Sequence, residues 1–249
     1  MFFSIIIATF NSEKYINQTL SSIKKQNFKS YELVIVDKKS KDKTIEIIKK
    51  FNFKKVKIIR KNDNGIYDAL NIGIKNSNGD VISILHSNDL FYNKNTLKNV
   101  YNGFKLNKVG LVYGDLVYYD LKMKKLIRYW KSGHFKNLSF DKGWSPPHPS
   151  FFVKRKIYLK NGLYNTNIGT ASDIEFMHRL LQKKKVSFKY INKVLVRMRY
   201  GGKSNESAKA IIYQNMSIIK FLKLNSIHKI LIYLIFKFLN RLSQFIKKP

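Results

Sequence analysis

The chain has 249 residues, 44% of them hydrophobic and 14% aromatic, which is enough apolar material for a large core and excludes a disordered tail. It has no cysteine, which closes off a disulfide framework, a thiolate zinc site and cysteine nucleophile chemistry, and is compatible with a reducing cytoplasm. With 48 Lys and Arg against 15 Asp and Glu, the formal charge of +33 points to a polyanionic partner, and charge alone leaves nucleic acid, a membrane surface and a phosphorylated substrate all open.

Met1-Phe2-Phe3-Ser4 carries no basic leader, and the apolar run behind it is strand-length, so the expectation is a protein that is not secreted. Strand and helix patterns then alternate: strand Phe3–Ala8, helix Glu13–Gln26, strand Tyr31–Asp37, helix Asp42–Phe51, strand Lys55–Arg60, helix Ile66–Asn76, strand Val81–Leu85. Short β-branched runs separated by helix-length amphipathic segments predict βαβ crossovers and a parallel sheet covered on both faces. Such a sheet binds ligands at the carboxyl ends of its strands, which singles out Thr9-Phe10-Asn11, Asp37 and His86-Ser87-Asn88-Asp89.

Beyond residue 93 the regularity fades. The pattern predicts a helix at Asn95–Leu106, strands at Leu111–Tyr113 and Leu116–Tyr119, and a loop over Gly133–Pro149, where Pro146-Pro147-His148-Pro149 resists helix. A strand at Ser150–Val153, a helix at Ser172–Gln182 and a strand at Lys193–Met198 follow. Residues 207–246 read as two helices parted near Asn225-Ser226, with Ser226 placed to cap the second. In that second helix Ile227, Ile230, Leu231, Leu234, Ile235, Phe238, Leu239, Leu242, Phe245 and Ile246 keep helical spacing, while Lys229, Lys237, Arg241, Lys247 and Lys248 gather largely elsewhere. Apolar burial with cations reaching anionic head groups is the physics of attachment to a membrane interface; packing against the catalytic domain or another subunit is the other reading. No window is long and apolar enough to span a bilayer.

Ser4-Ile5-Ile6-Ile7-Ala8-Thr9-Phe10-Asn11, Tyr31-Glu32-Leu33-Val34-Ile35-Val36-Asp37 and Asp63-Asn64-Gly65-Ile66-Tyr67-Asp68-Ala69-Leu70-Asn71-Ile72-Gly73, continuing through Gly79-Asp80 to Asn88-Asp89, together resemble the opening of a family 2 glycosyltransferase. The Gly65–Ala69 segment is especially similar to bacterial surface-polysaccharide transferases. The resemblance implies an α/β, GT-A fold: a Rossmann-like, mostly parallel twisted sheet flanked by helices, followed by C-terminal amphipathic helices. It implies a catalytic domain over 1–205, with a nucleotide-binding half over 1–92 and an acceptor half over 93–205, and a helical tail over 206–249.

The implied activity is transfer of a sugar from a nucleotide-diphospho-sugar, UDP-linked by analogy, to a hydroxyl of a glycan or lipid-linked acceptor with inversion. The implied setting is surface polysaccharide, lipopolysaccharide or capsule synthesis on the cytoplasmic face of a membrane. By the same resemblance Thr9, Asn11 and Glu13 border the nucleotide, and Asp37 accepts from the base N–H. Lys38 stands where relatives carry a second acidic residue, so that neighbour's role is not carried over. Asp68 and Asn71, three apart on one helix face, line the nucleotide pocket, with Gly73 allowing close approach.

The metal motif falls on His86-Ser87-Asn88-Asp89, where only Asp89 is acidic. Asp89 is thus the expected ligand for Mg²⁺ or Mn²⁺, Asn88 can add a neutral oxygen, and His86 suits Mn²⁺ rather than Mg²⁺. Lys and Arg neutralising the diphosphate in place of a metal is the alternative. Ala171-Ser172-Asp173-Ile174-Glu175 resembles the segment that supplies the general base, and the alignment gives that role to Asp173. His148 is expected near the acceptor or diphosphate, and Lys203, in Arg199-Tyr200-Gly201-Gly202-Lys203-Ser204, in a loop closing over the diphosphate.

Two rival classes stand beside this one. A nucleic-acid-binding protein fits the charge and the aromatics interleaved with cations at Tyr118-Tyr119 and Arg128-Tyr129-Trp130, yet no zinc spacing, RNP-like strand or KH loop accompanies them, and the reading adopted has no nucleic-acid partner. An inactive transferase-like scaffold is permitted by the thinned metal motif. The partners expected are a sugar nucleotide, a glycan or lipid-linked acceptor and an anionic membrane surface; the oligomeric state is left open.

Overall fold

The computed structural model describes residues 1–201, 208–246 and 249. Strand β1 (Phe3–Thr9) lies between β2 (Tyr31–Asp37) and β4 (Val81–Ile84), parallel to both, and β3 (Val56–Arg60) extends the sheet beyond β2. The register runs Thr9 against Asp37 and Asp37 against Arg60, so three strands end level and place these side chains in a row on the carboxyl rim.

Alternation along β1 sends Phe3, Ile5 and Ile7 to one face and Ile6 to the other. The first face is covered by α1 (Glu13–Lys24) through Ile16, Leu20 and Ile23, with Ile48 of α2 (Thr44–Lys50). The second is covered by α3 (Ile66–Lys75) through Leu70 and Ile74. A side chain at Gly73 of α3 would meet the Ile6 methyl at 2.4 Å, so glycine sets how closely α3 lies on the sheet.

The second half of the sheet is mixed. β8 (Phe151–Lys154) runs antiparallel to β4 and to β6 (Leu111–Tyr119); β9 (Phe188–Arg199) is parallel to β6; β5 (Leu90–Phe91) and β7 (Leu126–Trp130) add antiparallel edges, giving the order β3-β2-β1-β4-β8-β6-β9-β5 with β7 on β6. Helices α4 (Thr96–Asn107), α5 (Arg155–Asn161) and α6 (Ser172–His178) pack on it, α6 passing into a wider π turn over Arg179–Lys183.

The two strands expected over 111–119 are one strand, because the pattern break at Gly114-Asp115 is a bulge inside it. A side chain on Gly114 would meet Leu195 at 2.6 Å and the Lys193 carbonyl at 2.8 Å, so the partner strand demands glycine there. β5, β7 and α5 are elements the sequence pattern did not predict. β5 is two residues long, and β7 hides Arg128 beneath aromatic neighbours, its guanidinium 3.9 Å from the Tyr118 ring centre. The Arg128-Tyr129-Trp130 interleaving is therefore cross-strand packing.

The tail consists of α7 (Ala208–Leu222) and α8 (Ile227–Ile246), and Ser226 Oγ accepts from the Lys229 N–H at 3.3 Å as a cap. Tyr233 of α8 is buried with Ile218 and Leu224 against Ala171, just before α6. The outward side of α8 leaves Ile227, Leu231, Ile235, Phe238, Leu239 and Ile246 at least half exposed. Among the described residues no helix is long and apolar enough to cross a membrane.

Candidate active site

The loops after β1 and β2 are cross-laced by short polar side chains. Asp37 is buried and accepts from Thr9 Oγ1 at 3.0 Å, from the Ser40 N–H at 2.9 Å and from Ser40 Oγ, and it pairs with Arg60 Nε at 3.4 Å. The Asn11 N–H donates to Ser40 Oγ, while Asn11 Oδ1 accepts from the Lys41 N–H; Asn11 sits at φ 45°, a left-handed turn that asparagine tolerates. Glu13 Oε2 accepts from the Lys43 N–H at 2.8 Å. Thr9, Asn11, Glu13 and Asp37 are thus brought together, each already holding the neighbouring loop, which fixes the rim before any ligand arrives.

Ser12 Oγ donates to Ser87 Oγ at 3.0 Å, and Thr19 Oγ1 donates to the Ser87 carbonyl, tying the β1 loop to the His86–Asp89 turn. Asp89 is buried and neither carboxylate oxygen has a hydrogen bond of ordinary geometry. Burial pushes its pKa up to about 8, opposed by the backbone N–H and the charge of Arg199. His86 Nδ1 is likewise without a partner, and burial lowers that imidazole to about 4, so it is neutral at pH 7. Asn88 is half exposed on the same turn, and its side chain makes no hydrogen bond among the described residues. Among the described residues no group of three or more His, Asp or Glu is arranged to hold a cation, so Asp89, with its two orphaned oxygens, stands as the one acidic candidate in this turn.

A chain of rings runs from this turn to α6. The His86 and His148 rings lie 6.0 Å apart; His148 Nε2 meets the Tyr164 hydroxyl at 2.7 Å; the Tyr164 and Tyr67 rings lie 5.6 Å apart; and the Tyr67 hydroxyl donates to the Thr170 carbonyl at 3.5 Å, three residues before Asp173. His148 is buried and held neutral, its pKa lowered to about 3 by desolvation and by His86. Asp173 lies in the first turn of α6, where Oδ1 accepts from the Ile174 N–H at 2.8 Å. Burial raises its pKa to about 6 against the hydrogen bonds from Ile174 and Tyr67 and the positive charge of Lys237. A half-buried carboxylate poised near neutral pH can take up a proton. Glu175, two residues on, is committed elsewhere, to Arg179 at 3.0 Å.

Asp68 and Asn71 both serve local structure. Asp68 Oδ2 accepts from the Asn64 N–H at the start of α3. Asn71 donates to the Tyr164 carbonyl at 2.9 Å and accepts from the Tyr164 N–H at 3.0 Å, so both ends of its amide hold Tyr164 under His148. Lys203, Gly202 and Ser204 lie outside the described residues; Arg199, at the head of that loop, is buried, donating to the Leu121 carbonyl and to Gln18, with its guanidinium over Tyr15.

Tyr67, Tyr164 and Lys237 enter this constellation although the sequence does not mark them as contacts, and Arg199, expected at the diphosphate loop, lies beside Asp89. Tyr67 carries a signal in sequence, one residue before Asp68 in the Gly65–Ala69 segment; Lys237 is separated from Asp173 by more than sixty residues and carries none. A larger concavity, lined by Lys108, Lys154, Lys160 and Lys184, opens at the opposite rim and contains none of these groups.

The chain matches the family model described as glycosyl transferase family 2 over residues 4–169. A PGL/p-HBAD biosynthesis glycosyltransferase of Mycobacterium bovis, found also in Mycobacterium tuberculosis, is 31% identical over 209 residues, 82% of this chain and 79% of the relative. The poly(ribitol-phosphate) β-N-acetylglucosaminyltransferase TarS of Staphylococcus aureus is 38% identical over 104 residues, 40% of this chain and 18% of that protein. In structure, TarS in complex with UDP-GlcNAc superposes with TM-score 0.68 at 21% identity, over 95% of this chain and 71% of that one. The mannosyltransferase PcManGT from Pyrobaculum calidifontis, in complex with GDP-Man and Mn²⁺, superposes with TM-score 0.63 at 17% identity, over 89% of this chain and 63% of that one. At these identities the superpositions carry the GT-A fold, whereas the family match and the mycobacterial relative carry the family: the chain belongs to glycosyltransferase family 2.

Proposed function

We propose that this glycosyltransferase moves a sugar from a nucleoside diphosphate, UDP by analogy with TarS, to a hydroxyl of a glycan or lipid-linked acceptor with inversion, in the synthesis of a surface polysaccharide. The observation that carries the reading is the unbroken run of contacts along one rim, from Asp37 through the His86–Asp89 turn and His148 to Asp173. The row of β-strand ends would hold the nucleotide. Asp173 would take the proton of the acceptor hydroxyl as its oxygen attacks the anomeric carbon, and the carbon–diphosphate bond would break on the opposite side, inverting the centre. Tyr67, whose hydroxyl donates to the Thr170 carbonyl, would help hold the turn that carries Asp173.

A divalent cation fits the residues present only in part. The orphaned oxygens of Asp89 suit a hard cation, Asn88 can add a carbonyl oxygen, and the remaining ligands would be water and the donor's own diphosphate. When bound, Mg²⁺ or Mn²⁺ would stabilise charge on the departing nucleotide. The buried guanidinium of Arg199 beside Asp89 supplies positive charge at the same place.

The outward side of α8, with Leu231, Ile235, Phe238 and Leu239 exposed on a chain of net charge +33, supports peripheral attachment to an anionic lipid surface at the cytoplasmic face, where a lipid-linked acceptor would lie. The test of the reaction is to incubate the protein with UDP-, GDP- and dTDP-sugars, Mn²⁺ and a lipid-linked acceptor, and to read the anomeric configuration of the product by NMR. An inverted glycoside is expected; a product that retains the donor's configuration overturns the single-displacement reading.

A further inference from the structure

The helix that reads from sequence as a tail packs behind the turn that carries Asp173. Lys237, on the inner side of α8, donates from Nζ to Asn215 Oδ1 of α7 at 2.6 Å and to the Tyr233 hydroxyl at 2.9 Å. Its backbone is pressed against Gly143, where an added Cβ would lie 2.6 Å from the Lys237 Cβ and 2.8 Å from its Cα, so no side chain fits between the two. The same helices seat the turn that carries the base. Gln214 Nε2 donates to the Thr170 carbonyl at 3.0 Å, and Tyr233 and Ile218 enclose Ala171, two residues before Asp173. Lys237 also lines a small cavity with Ile174, the residue after Asp173, so an ammonium with one buried and one half-buried anchor stands behind the turn that carries the base, which is more than a solvated anchor helix requires.

We propose that Lys237 is a positioning residue for the general base: α7 and α8 form the wall behind Asp173, and the Lys237 ammonium, fixed by Asn215 and Tyr233, sets a positive charge behind its carboxylate. The inference rests on the base role given to Asp173. It makes the membrane-facing helix part of the catalytic machinery, with one side on lipid and the other behind the carboxylate that meets the acceptor.

The groups facing Asp173 are Tyr67 of α3, Tyr164 ahead of α6, and Lys237; those facing Lys237 are Asp173, Tyr233 and Arg241 of its own helix. Burial lowers Lys237 to about 8, opposed by Asp173 and reinforced by Arg241, so the ammonium is mostly charged at pH 7 and below. Removing it withdraws a favourable charge from the Asp173 carboxylate, and the proton should be held more tightly.

The experiment follows Asp173 by carboxyl ¹³C NMR in the full chain, assigned by difference with Asp173→Asn, in wild type, Lys237→Met, Lys237→Arg and Asn215→Leu. Lys237→Met is expected to move the midpoint upward by about 0.5 pH unit or more, Asn215→Leu to move it the same way by less, and Lys237→Arg to keep it near the wild-type value. The acid limb of sugar-nucleotide hydrolysis should move with it. An Asp173 midpoint unchanged in Lys237→Met overturns the proposal, and Lys237→Arg and Asn215→Leu keep the comparison available should that variant fold poorly. If Asp173→Asn hydrolyses donor at the wild-type rate, the base assignment fails on its own while the titration remains readable.

Discussion

Asp173 shows how a short acidic side chain is tuned without a second acid beside it. Ser172 occupies the neighbouring position and its hydroxyl donates to the Asn165 and Gly169 carbonyls, so it braces the turn. Burial then does what a like charge would do, raising Asp173 to about 6, while Ile174, Tyr67 and Lys237 hold it from rising further. In the base role proposed for Asp173 the carboxylate must be ionised, so turnover should fall as pH drops through about 6 and level off above it. A pH–rate profile for donor hydrolysis measures this, and an acid limb near pH 4 would show an unperturbed carboxylate instead. Tyr164→Phe removes the hydroxyl shared by His148 and Tyr158 and should lower turnover several-fold with little change in nucleotide affinity, as read by calorimetric UDP binding. From the sequence, Asp37, Asp89 and Asp173 stood out by place and pattern, whereas the tyrosines joining them did not, because an aromatic in a quoted motif looks the same whether it packs or donates.

β1, β2 and β4 were legible because each is a run of β-branched residues that a covered parallel strand requires, and the βαβ rhythm gave their pairing. The second half was less legible, since antiparallel edges of two to five residues leave too short a pattern, and Gly114 looks like a strand end although it allows a bulge against Leu195. The predicted helix over 172–182 changes to a π turn at Arg179, where the guanidinium leaves to bind the Asn161 and Leu163 carbonyls and Glu175. Close approach gives a further prediction. A side chain at Gly79 would lie 2.5 Å from Ser4 N and 2.8 Å from the Phe3 carbonyl carbon, both backbone atoms that cannot turn aside. Gly79→Ala should therefore cost about 1–3 kcal/mol in urea unfolding, and a variant as stable as wild type would show that β1 and the β4 entry are loosely joined.

The molecule as a whole carries its charge of +33 with an apolar outer side of α8, a combination that favours anionic over zwitterionic lipid. Leu231→Glu with Phe238→Glu, both at exposed positions, should reduce partitioning onto phosphatidylglycerol vesicles by about tenfold or more while leaving hydrolysis of a soluble sugar nucleotide in place. Equal partitioning of the double variant would show that the outer side of α8 is not a lipid contact. The sequence displayed the amphipathic side but could not show what its other side touches, because beyond its own helix Lys237 meets Asn215 of α7 and Gly143, which lies more than ninety residues away. If these elements converge to let Asp173 accept a proton during sugar transfer, nucleotide release from a UDP-sugar by wild type and Asp173→Asn, measured alongside UDP affinity, will separate the two proteins. A loss of about a thousandfold in release with affinity unchanged is the result expected, and release by Asp173→Asn at a rate near wild type would contradict it.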